Sequence, residues 1–296
     1  MISCIITTYK REIDILIRAV NSVLSQTYKD IELIVVNDAP EDVKLSKSIG
    51  EALKNCSSKI KYIVHEKNMG ACAARNTGIR HAKGEYIAFL DDDDEWVENK
   101  LELQLKVAEA ENATLVYCSY YSIDNKGEMT IMRPNMKYIK GDTDFKRLLC
   151  FNFIGSTSFP LLRADALRAV KGFNEKLQSS QDHEAWLKIA KHYKITYIDR
   201  PLVKYYYSAV SITRVTEKRD QGYTYLLKEF KDDYQKYPDI LHCRYMLLAG
   251  VYLGMKCYKK GLKYWGLAIK LDPVSSENFM IISRAIKKMF KFGGEK

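Results

Sequence analysis

The sequence lacks the features of a membrane-spanning or disulfide-stabilised protein. Its longest late apolar stretch, residues 245–255, falls short of the roughly 18 residues that a spanning helix needs. The stretch at residues 2–6 is too short for a signal peptide. The seven cysteines are scattered without a CxxC pair, so we interpret them as reduced, mostly buried thiols. We therefore expect a cytoplasmic protein, soluble or peripheral at the inner face of the membrane.

Low-complexity segments and Gly/Ser linkers are also missing, so no domain boundary is sharply marked. The 296 residues, 47% apolar and 28% charged, suffice for one large α/β domain with a smaller appendage. The net charge of +10 is uneven, because residues 256–296 hold ten Lys or Arg against three Asp or Glu. Such an excess favours an anionic partner, a membrane or a nucleic acid, although a solvated basic face is the simpler alternative.

Apolar runs alternate with helical periodicity over the first hundred residues. Strands are predicted at residues 2–7, 31–36, 60–64 and 86–90, with helices after the first and the third of them. This alternation predicts a parallel, doubly wound sheet whose strands end along one edge, where ligands of such sheets bind. Farther along, residues 196–207 are predicted as strands broken by Pro201.

From about residue 220 the pattern becomes entirely helical. Residues 250–273 resemble one tetratricopeptide-type hairpin, which cannot bury its own apolar face and should pack on the rest of the chain or on a partner. A last predicted helix, residues 278–292, is apolar on one face and basic on the other. It predicts peripheral contact with a membrane or packing on the domain, and the helical region offers a surface for a homo-oligomer.

Four adjacent carboxylates, Asp91 to Asp94, follow the predicted strand that ends at Leu90. Like charges so close repel one another unless a cation neutralises them. Mg²⁺ and Mn²⁺ prefer carboxylate oxygens, and Mg²⁺ is usually held by one or two carboxylates together with phosphates. The cluster therefore predicts a metal–diphosphate site, with a solvated acidic loop as the alternative. An EF-hand is excluded because its glycine and its distal glutamate are missing.

Three further residues are ambiguous when each is taken alone. Asp38 follows a buried strand and would contact a base or ribose, or only initiate the turn before Pro40. Arg75 would face nucleotide phosphates, or lie on the surface of its helix. Asp182 opens a predicted helix, where it is either a general base or an acid that stabilises the helix start.

An ordered set of motifs resembles a family 2 glycosyltransferase of the bacterial polysaccharide type over roughly residues 1–214. The matching segments are residues 5–9, 22–28, 32–38, 68–76, 84–94, 172–175 and 181–182. The resemblance implies the GT-A fold, a Rossmann-like, mostly parallel sheet with flanking helices. It divides the catalytic domain, 1–214, into a nucleotide-binding half, 1–97, and an acceptor half, 98–214. Residues 220–296 lie outside the resemblance and are predicted to form a helical C-terminal extension.

The resemblance also implies a metal-dependent, inverting transfer. A sugar would pass from a nucleotide diphosphate, most often UDP, to a glycan or lipid-linked saccharide in the synthesis of a surface polysaccharide such as capsule or O-antigen. The residues that would contact the nucleotide are Thr7, Tyr9, Asp38, Arg75, Asp91 and Asp92. In the DXD region, Asp93 and Asp91 would bind Mn²⁺ or Mg²⁺. Asp182 would be the catalytic base that deprotonates the acceptor hydroxyl.

The chain departs from the family pattern at two places. Asp38 is followed by Ala39-Pro40 where many relatives have Gly-Ser, which changes the turn but should spare the aspartate. Many relatives carry Arg-x-His after the late strand, whereas residues 205–208 are Tyr-Tyr-Tyr-Ser, so the resemblance implies no help to the leaving group from that loop.

Other classes of protein fit parts of the sequence. A non-catalytic interaction module with the GT-A fold would keep the sheet but would have no need of the adjacent charges at 91–94. A nucleotidyltransferase would carry a Gly-rich phosphate loop after the first strand, whereas residues 7–11 contain no glycine. No motif supports binding to nucleic acid. The sugar, the acceptor and the linkage are not given by the sequence.

Overall fold

The structure is a computed structural model that describes residues 1–134, 136, 139–207, 216–276 and 278. The chain divides into two compact units. The first unit comprises Met1–Pro134 and Ile154–Arg214, and the second comprises Asn135–Phe153 and Val215–Lys296. The domain limits expected from the sequence, 1–214 and 220–296, remain a prediction.

The secondary structure of the described residues is as follows. The strands are β1 (Ile2–Thr8), β2 (Ile31–Asn37), β3 (Lys61–Val64), β4 (Tyr86–Asp91), β5 (Glu95–Trp96), β6 (Leu115–Ile123), β7 (Met129–Met132), β8 (Leu161–Arg163) and β9 (Ile195–Tyr206). The helices are α1 (Ile13–Leu24), α2 (Val43–Cys56), α3 (Ala71–His81), α4 (Lys100–Glu111), α5 (Asp144–Cys150), α6 (Ala164–Ala169), α7 (Gln181–Ala190), α8 (Thr216–Glu229), α9 (Lys231–Lys236), α10 (Pro238–Gly254) and α11 (Tyr258–Leu271).

The first unit is built on one mixed sheet in the order β3-β2-β1-β4-β8-β6-β9-β5, with β7 paired to β6. Strands β1 to β4 are mutually parallel, whereas β8 runs antiparallel to β4 and β6. The predicted mostly parallel sheet with flanking helices is thus confirmed. In the register, Thr7 lies opposite Asp91 and Thr8 lies opposite Asn37, so β1, β2 and β4 end together at one edge.

Strand β1 is covered on both faces, as its continuous apolar run predicts. On one face lies the apolar side of α1, including Leu16 and Val20, which are completely buried. On the other face α3 approaches closely because residue 78 is glycine. A Cβ atom at Gly78 would lie 2.4 Å from Cγ2 of Ile5, which is far inside van der Waals contact.

The predicted interruption of the late strand at Pro201 is wrong. Strand β9 is continuous and pairs in parallel with β6. Its register shifts on both sides of Ser119, the residue that lies opposite Pro201. Proline has no N–H to donate to the ladder, so the pairing accommodates it by an irregularity instead of ending the strand.

The core of the first unit contains one buried ammonium group. Lys100, the first residue of α4, has no exposed surface, and its Nζ donates to Oε1 of Gln104 at 2.7 Å. The same Nζ lies 4.3 Å from the centroid of the Trp96 ring. Burial lowers the pKa of Lys100 to about 8, because the charged form loses its hydration.

Lys100→Met should therefore change how stability depends on pH. In the unfolded chain Lys100 has the ordinary lysine pKa of 10.5. Between pH 8 and 10.5 the unfolded state therefore binds more protons than the folded state, and the stability of the wild type rises with pH. Between about pH 7.5 and about pH 9.5, the unfolding free energy of the wild type should gain about 2 kcal/mol relative to the variant. Urea titrations of both proteins measure this. A pH-independent difference would contradict the buried, titrating lysine.

The second unit is helical throughout its described elements. Helices α10 and α11 pack around a core that includes Ala249, Tyr252 and Tyr264. Gly261 permits their close approach, since a Cβ there would lie 2.7 Å from Cγ of Leu253. None of the described helices combines the length and the hydropathy needed to cross a bilayer. The predicted helix at residues 278–292 lies outside the described residues, apart from Asn278.

Candidate active site

The carboxyl ends of β1, β2 and β4 bring most of the predicted site residues to one edge of the sheet. Thr7 belongs to β1 and pairs with Asp91 of β4, and Asp38 follows β2 directly. The backbone N–H of Asp38 donates to the carbonyl of Thr8 at 2.9 Å, which extends the pairing of the two strands by one residue. Residues distant in sequence thus converge because parallel strands end at the same edge.

Asp38 is only 4% exposed, and its side chain organises the loop that follows β3. Its Oδ1 accepts from the backbone N–H of Met69 at 2.8 Å, and its Oδ2 accepts from that of Gly70 at 2.7 Å. The amide of Asn68 donates to its carbonyl at 3.2 Å. Gly70 has φ +88°, which favours glycine at this turn into α3. The motif Asn-Met-Gly therefore serves to wrap backbone donors around Asp38.

Asp91 is the best-connected carboxylate of the acidic cluster. Arg75 reaches it from α3, with Nη2 donating to Oδ1 at 3.0 Å. Two hydroxyls of the loop before β8 also donate to it, Oγ of Ser156 at 3.0 Å and Oγ1 of Thr157 at 3.1 Å. Asp94 is buried and accepts from Oγ of Ser158 at 2.7 Å. The 156–158 loop therefore holds both ends of the cluster.

Asp92 and Asp93 share one guanidinium group. Nη2 of Arg11 lies 2.8 Å from Oδ1 of Asp92 and 3.0 Å from Oδ2 of Asp93, and its Nε donates to Asp92 at 2.9 Å. Arg11 lies in the segment that joins β1 to α1, so it reaches the cluster from the neighbouring strand end. This single cation offsets part of the repulsion between two adjacent carboxylates.

The negative charge of the cluster is only partly neutralised by the arginine side chains. Burial and the neighbouring charges of Asp91 and Asp92 raise the pKa of Asp93 to about 6 despite the presence of Arg11. Burial and the charges of Asp91 and Asp93 hold the pKa of Asp94 well above its usual range. An additional cation at this edge would stabilise the ionised forms of these groups.

The donor set fits a divalent cation that is shared with a diphosphate. No group of three or more His, Cys, Asp or Glu side chains that could enclose a metal occurs among the described residues. Mg²⁺ needs only one or two carboxylates when phosphate oxygens complete its shell. The side chains of Asp91 and Asp93 are 30% and 28% exposed, so each presents part of its carboxylate to solvent. The chemistry and exposure of these two residues thus suit Mg²⁺ or Mn²⁺.

Arg75 connects the cluster to the start of α7. While Nη2 binds Asp91, Nη1 donates to Oε1 of Gln181 at 3.1 Å. The guanidinium also lies 5.5 Å from the centroid of the Phe173 ring. This bridge between α3, β4 and α7 positions the first turn of α7 next to the acidic cluster.

Asp182 lies in that first turn, directly after Gln181. Ser180, the residue that precedes the helix, has φ +59°, a left-handed conformation that redirects the chain into α7. Asp182 is partly exposed, whereas Glu184, two residues later, is buried and paired with Nζ of Lys188 at 3.1 Å. Of these two carboxylates, Asp182 is therefore the one accessible to solvent.

Tyr9 has the most exposed side chain of the predicted site residues, at 48%. Its hydroxyl donates to Oε1 of Glu41 at 3.3 Å, and the same oxygen lies 3.0 Å from Nζ of Lys10. Lys10 has φ +51°, so the chain turns sharply between Tyr9 and Arg11. The half-exposed Tyr9 ring thereby lies at the strand edge, with Nζ of Lys10 5.2 Å from its centroid.

Sequence reasoning missed three contributors to this site: Arg11, the hydroxyl loop 156–158 and His65, which lies 2.7 Å from Asp38. Arg11 could have been predicted from the sequence, because it follows the motif at the end of β1. The run Ser-Thr-Ser after Gly155 is a local signal, but its partner is distant in sequence. The late loop, expected to lack a histidine, falls largely in residues 208–215, outside the described residues.

The chain is similar to known glycosyltransferases. The family model described as Glycosyl transferase family 2 matches residues 3–170. An uncharacterized glycosyltransferase of Rickettsia felis is 35% identical over 217 residues, covering 69% of this chain and 32% of that protein. The UDP-Glc:alpha-D-GlcNAc-diphosphoundecaprenol beta-1,3-glucosyltransferase WfgD of Escherichia coli is 32% identical over 215 residues, covering 72% of this chain and 79% of that protein. The chain thus spans about a third of the length of the Rickettsia relative.

Among solved structures, S. aureus TarS 1-349 in complex with UDP-GlcNAc has a TM-score of 0.68 and 17% sequence identity. The alignment covers 91% of this chain and 81% of that one. At this low identity the likeness concerns the fold alone, and that fold is the one seen here, a mostly parallel sheet with flanking helices.

Proposed function

The chain belongs to glycosyl transferase family 2, and from that premise we propose that it is an inverting enzyme that transfers a sugar from a UDP-sugar to a lipid-linked saccharide. The observation that carries the proposal is the hydrogen-bonded chain from Asp91 through Arg75 to Gln181, the residue before Asp182. It connects Asp91, which is suited to bind a metal–diphosphate, with the residue next to Asp182, which is suited to deprotonate an acceptor hydroxyl. These are the two halves that a displacement at an anomeric carbon requires.

The nucleotide would bind along the edge formed by β1, β2 and β4. Thr7, Tyr9 and Asp38 would hold the nucleobase and the ribose. Asp91 and Asp92 would lie toward the ribose and diphosphate. The nearby guanidinium groups of Arg11 and Arg75 would offset the negative charge of the diphosphate. The exposure of Tyr9 at the strand edge supports this assignment.

Transfer would be a single in-line displacement. Asp182 takes the proton of the acceptor hydroxyl, whose oxygen attacks the anomeric carbon from the face opposite the diphosphate. A new C–O bond forms as the bond to the diphosphate breaks, and the electron pair leaves with UDP. Arg75 orients Asp91 and the start of α7 together, so positioning of both substrates supplies a large part of the acceleration.

Asp93 and Asp91 are the residues that would hold Mn²⁺ or Mg²⁺. The chemistry that such a cation supplies when bound is Lewis-acid stabilisation of the departing diphosphate. In this proposal Arg11 stays close to Asp92 and Asp93, where it limits the repulsion among the carboxylates and the incoming phosphates.

The choice of acceptor rests on similarity. By its name, the E. coli relative acts on an acceptor linked to undecaprenol diphosphate, which supports a lipid-linked saccharide and a role in surface polysaccharide synthesis. Such an acceptor lies at a membrane face. Peripheral contact through residues 278–292 and a homo-oligomer remain predictions.

Calorimetric titration with UDP, with and without Mn²⁺, tests the donor site. We expect binding with a Kd in the micromolar range, which corresponds to about −8 kcal/mol, only when Mn²⁺ is present. Asp38→Asn is a matched variant, because it keeps the shape of the side chain but reduces its charge, and it should weaken UDP binding. Absence of binding to UDP, dTDP, GDP and CDP under both conditions would refute a nucleotide-sugar donor.

A further inference from the structure

We propose that His65 is a positioning residue for nucleotide recognition, which fixes the carboxylate of Asp38 through a chain of hydrogen bonds that begins on α3. The inference deepens the proposed function and rests on it for the identity of the ligand, a nucleoside diphosphate. His65 is not part of any motif that the sequence reveals, and it is not itself placed against the ligand.

The chain of contacts is short and buried. His65 follows β3 directly, and its Nδ1 lies 2.7 Å from Oδ1 of Asp38. Its Nε2 lies 2.9 Å from Oγ1 of Thr77, a buried residue of α3. Nη2 of Arg80, one turn farther along α3, donates to the same Oγ1 at 2.7 Å. Both ring nitrogens are therefore used, one toward Asp38 and the other toward α3.

The donors and acceptors of this chain are matched. A carboxylate can only accept and a guanidinium can only donate. With a neutral imidazole, Nδ1–H donates to Asp38 and Nε2 accepts from the hydroxyl of Thr77, whose oxygen accepts from Arg80. Buried polar chains that are fully satisfied hold one geometry of the groups they contain. The orientation of the Asp38 carboxylate is thus coupled to α3.

That orientation leaves one acceptor position for a ligand. Oδ1 of Asp38 accepts from His65 and from the N–H of Met69, which fills its two lone-pair positions. Oδ2 accepts from the N–H of Gly70 among the described contacts, so a second position on this oxygen remains for a ligand N–H or O–H. If His65 were lost, the carboxylate could rotate, and its remaining acceptor position would point in a different direction.

Two substitutions at residue 65 separate this role from simple packing. The side-chain amide nitrogen of His65→Asn lies near the position of Nδ1 and keeps a donor for Asp38, but it cannot reach Thr77. The side-chain amide of His65→Gln extends to the position of Nε2, where its oxygen can accept from Thr77, and it leaves Asp38 without that donor. His65→Leu removes both contacts. A packing role predicts similar losses for Asn and Gln, whereas a positioning role distinguishes them.

The experiment measures the Kd of UDP by calorimetry at saturating Mn²⁺, with thermal melts to establish that each variant is folded. We expect His65→Asn to stay within about threefold of the wild type, and His65→Gln and His65→Leu to bind about tenfold more weakly, the usual effect of losing a hydrogen bond to a charged group. In turnover assays the donor KM should rise by the same factor while kcat is retained, because Asp38 is remote from the reacting carbon.

The outcomes distinguish the inference from the proposed function. Equal weakening in His65→Asn and His65→Gln, or wild-type affinity in all three variants, would overturn the positioning role while leaving the donor site in place. A wild-type protein that binds none of the nucleoside diphosphates would overturn the proposed function, and the inference with it. If His65→Leu does not fold, the comparison of His65→Asn with His65→Gln decides the question alone.

Discussion

Asp182→Asn should lower the rate of sugar transfer by roughly 10²–10⁴-fold, the usual contribution of a general base, while UDP affinity stays close to that of the wild type. The amide has the size of the carboxylate but cannot take a proton from the acceptor hydroxyl. Asp182 lies in the first turn of α7, beside the residue that Arg75 connects to Asp91. The nucleotide side of the site should therefore be preserved, and kcat with a fixed donor and acceptor is the quantity to measure.

The control for this substitution is Asp165→Asn. Asp165 is an acid in the first turn of another helix of the same unit, α6, and its side chain is 65% exposed. Both substitutions remove a negative charge from a first helical turn, an interaction worth about 0.3–1 kcal/mol. Asp165→Asn also weakens the exposed ion pair of Asp165 with Arg163, so the control includes at least the stability cost of losing a first-turn charge. Only the change at residue 182 should affect transfer. Substantial turnover by Asp182→Asn would show that Asp182 is not the base. Glu184 would not replace it, because that residue is buried against Lys188.

The same substitution separates an enzyme from a non-catalytic module with this fold. If the protein is a binding module, the wild type and Asp182→Asn should bind UDP with the same affinity, and neither should transfer sugar. An enzyme would lose transfer in the variant and retain UDP binding. The alternative that the sequence leaves open is therefore decided by one pair of measurements, binding and turnover.

The parts of this site that could be predicted from the sequence are those whose signals are local. The strands β1, β2 and β4 are continuous apolar runs that end in polar residues, and parallel strands place those ends together. Asp38 and Asp91 are predicted as site residues in this way. The mostly parallel sheet with flanking helices could be expected for the same reason, because periodicity is contained within each element.

The parts that could not be predicted depend on pairs of residues that are far apart in the chain. Arg11 and Asp92 are separated by 81 positions, and Ser156 and Asp91 by 65. Neither pair follows from spacing, since each requires knowing which strand lies beside which. The pairing of β8 between β4 and β6 brings the hydroxyl loop to the cluster, and an antiparallel strand of three residues leaves almost no periodic signal. The connection from Asp38 to Thr77 through His65 has the same origin.

Asp93→Ala should abolish the part of UDP affinity that depends on metal, a loss on the order of 100-fold at saturating Mn²⁺ if the ion contributes several kcal/mol. Of the two carboxylates suited to the metal, that of Asp91 already accepts from Arg75, Ser156 and Thr157, whereas the side chain that donates to that of Asp93 is Arg11. Asp93 therefore has more acceptor capacity left for a cation. Without metal the variant should bind UDP no worse than the wild type, since one charge that repels the diphosphate is gone.

The matched variant Asp93→Asn distinguishes metal binding from the placement of Arg11. Its amide oxygen can still accept from Nη2 of Arg11, which lies 3.0 Å from Oδ2 of Asp93 in the wild type. If Asp93 matters because it holds Arg11, Asp93→Asn should keep most of the affinity that Asp93→Ala loses. If Asp93 binds the metal, a neutral amide is a poor substitute for a carboxylate and both variants should lose the response to Mn²⁺. Unchanged metal-dependent affinity in Asp93→Ala would refute the metal assignment, and the unrelieved negative charge of the cluster would then have to be balanced by arginine side chains alone.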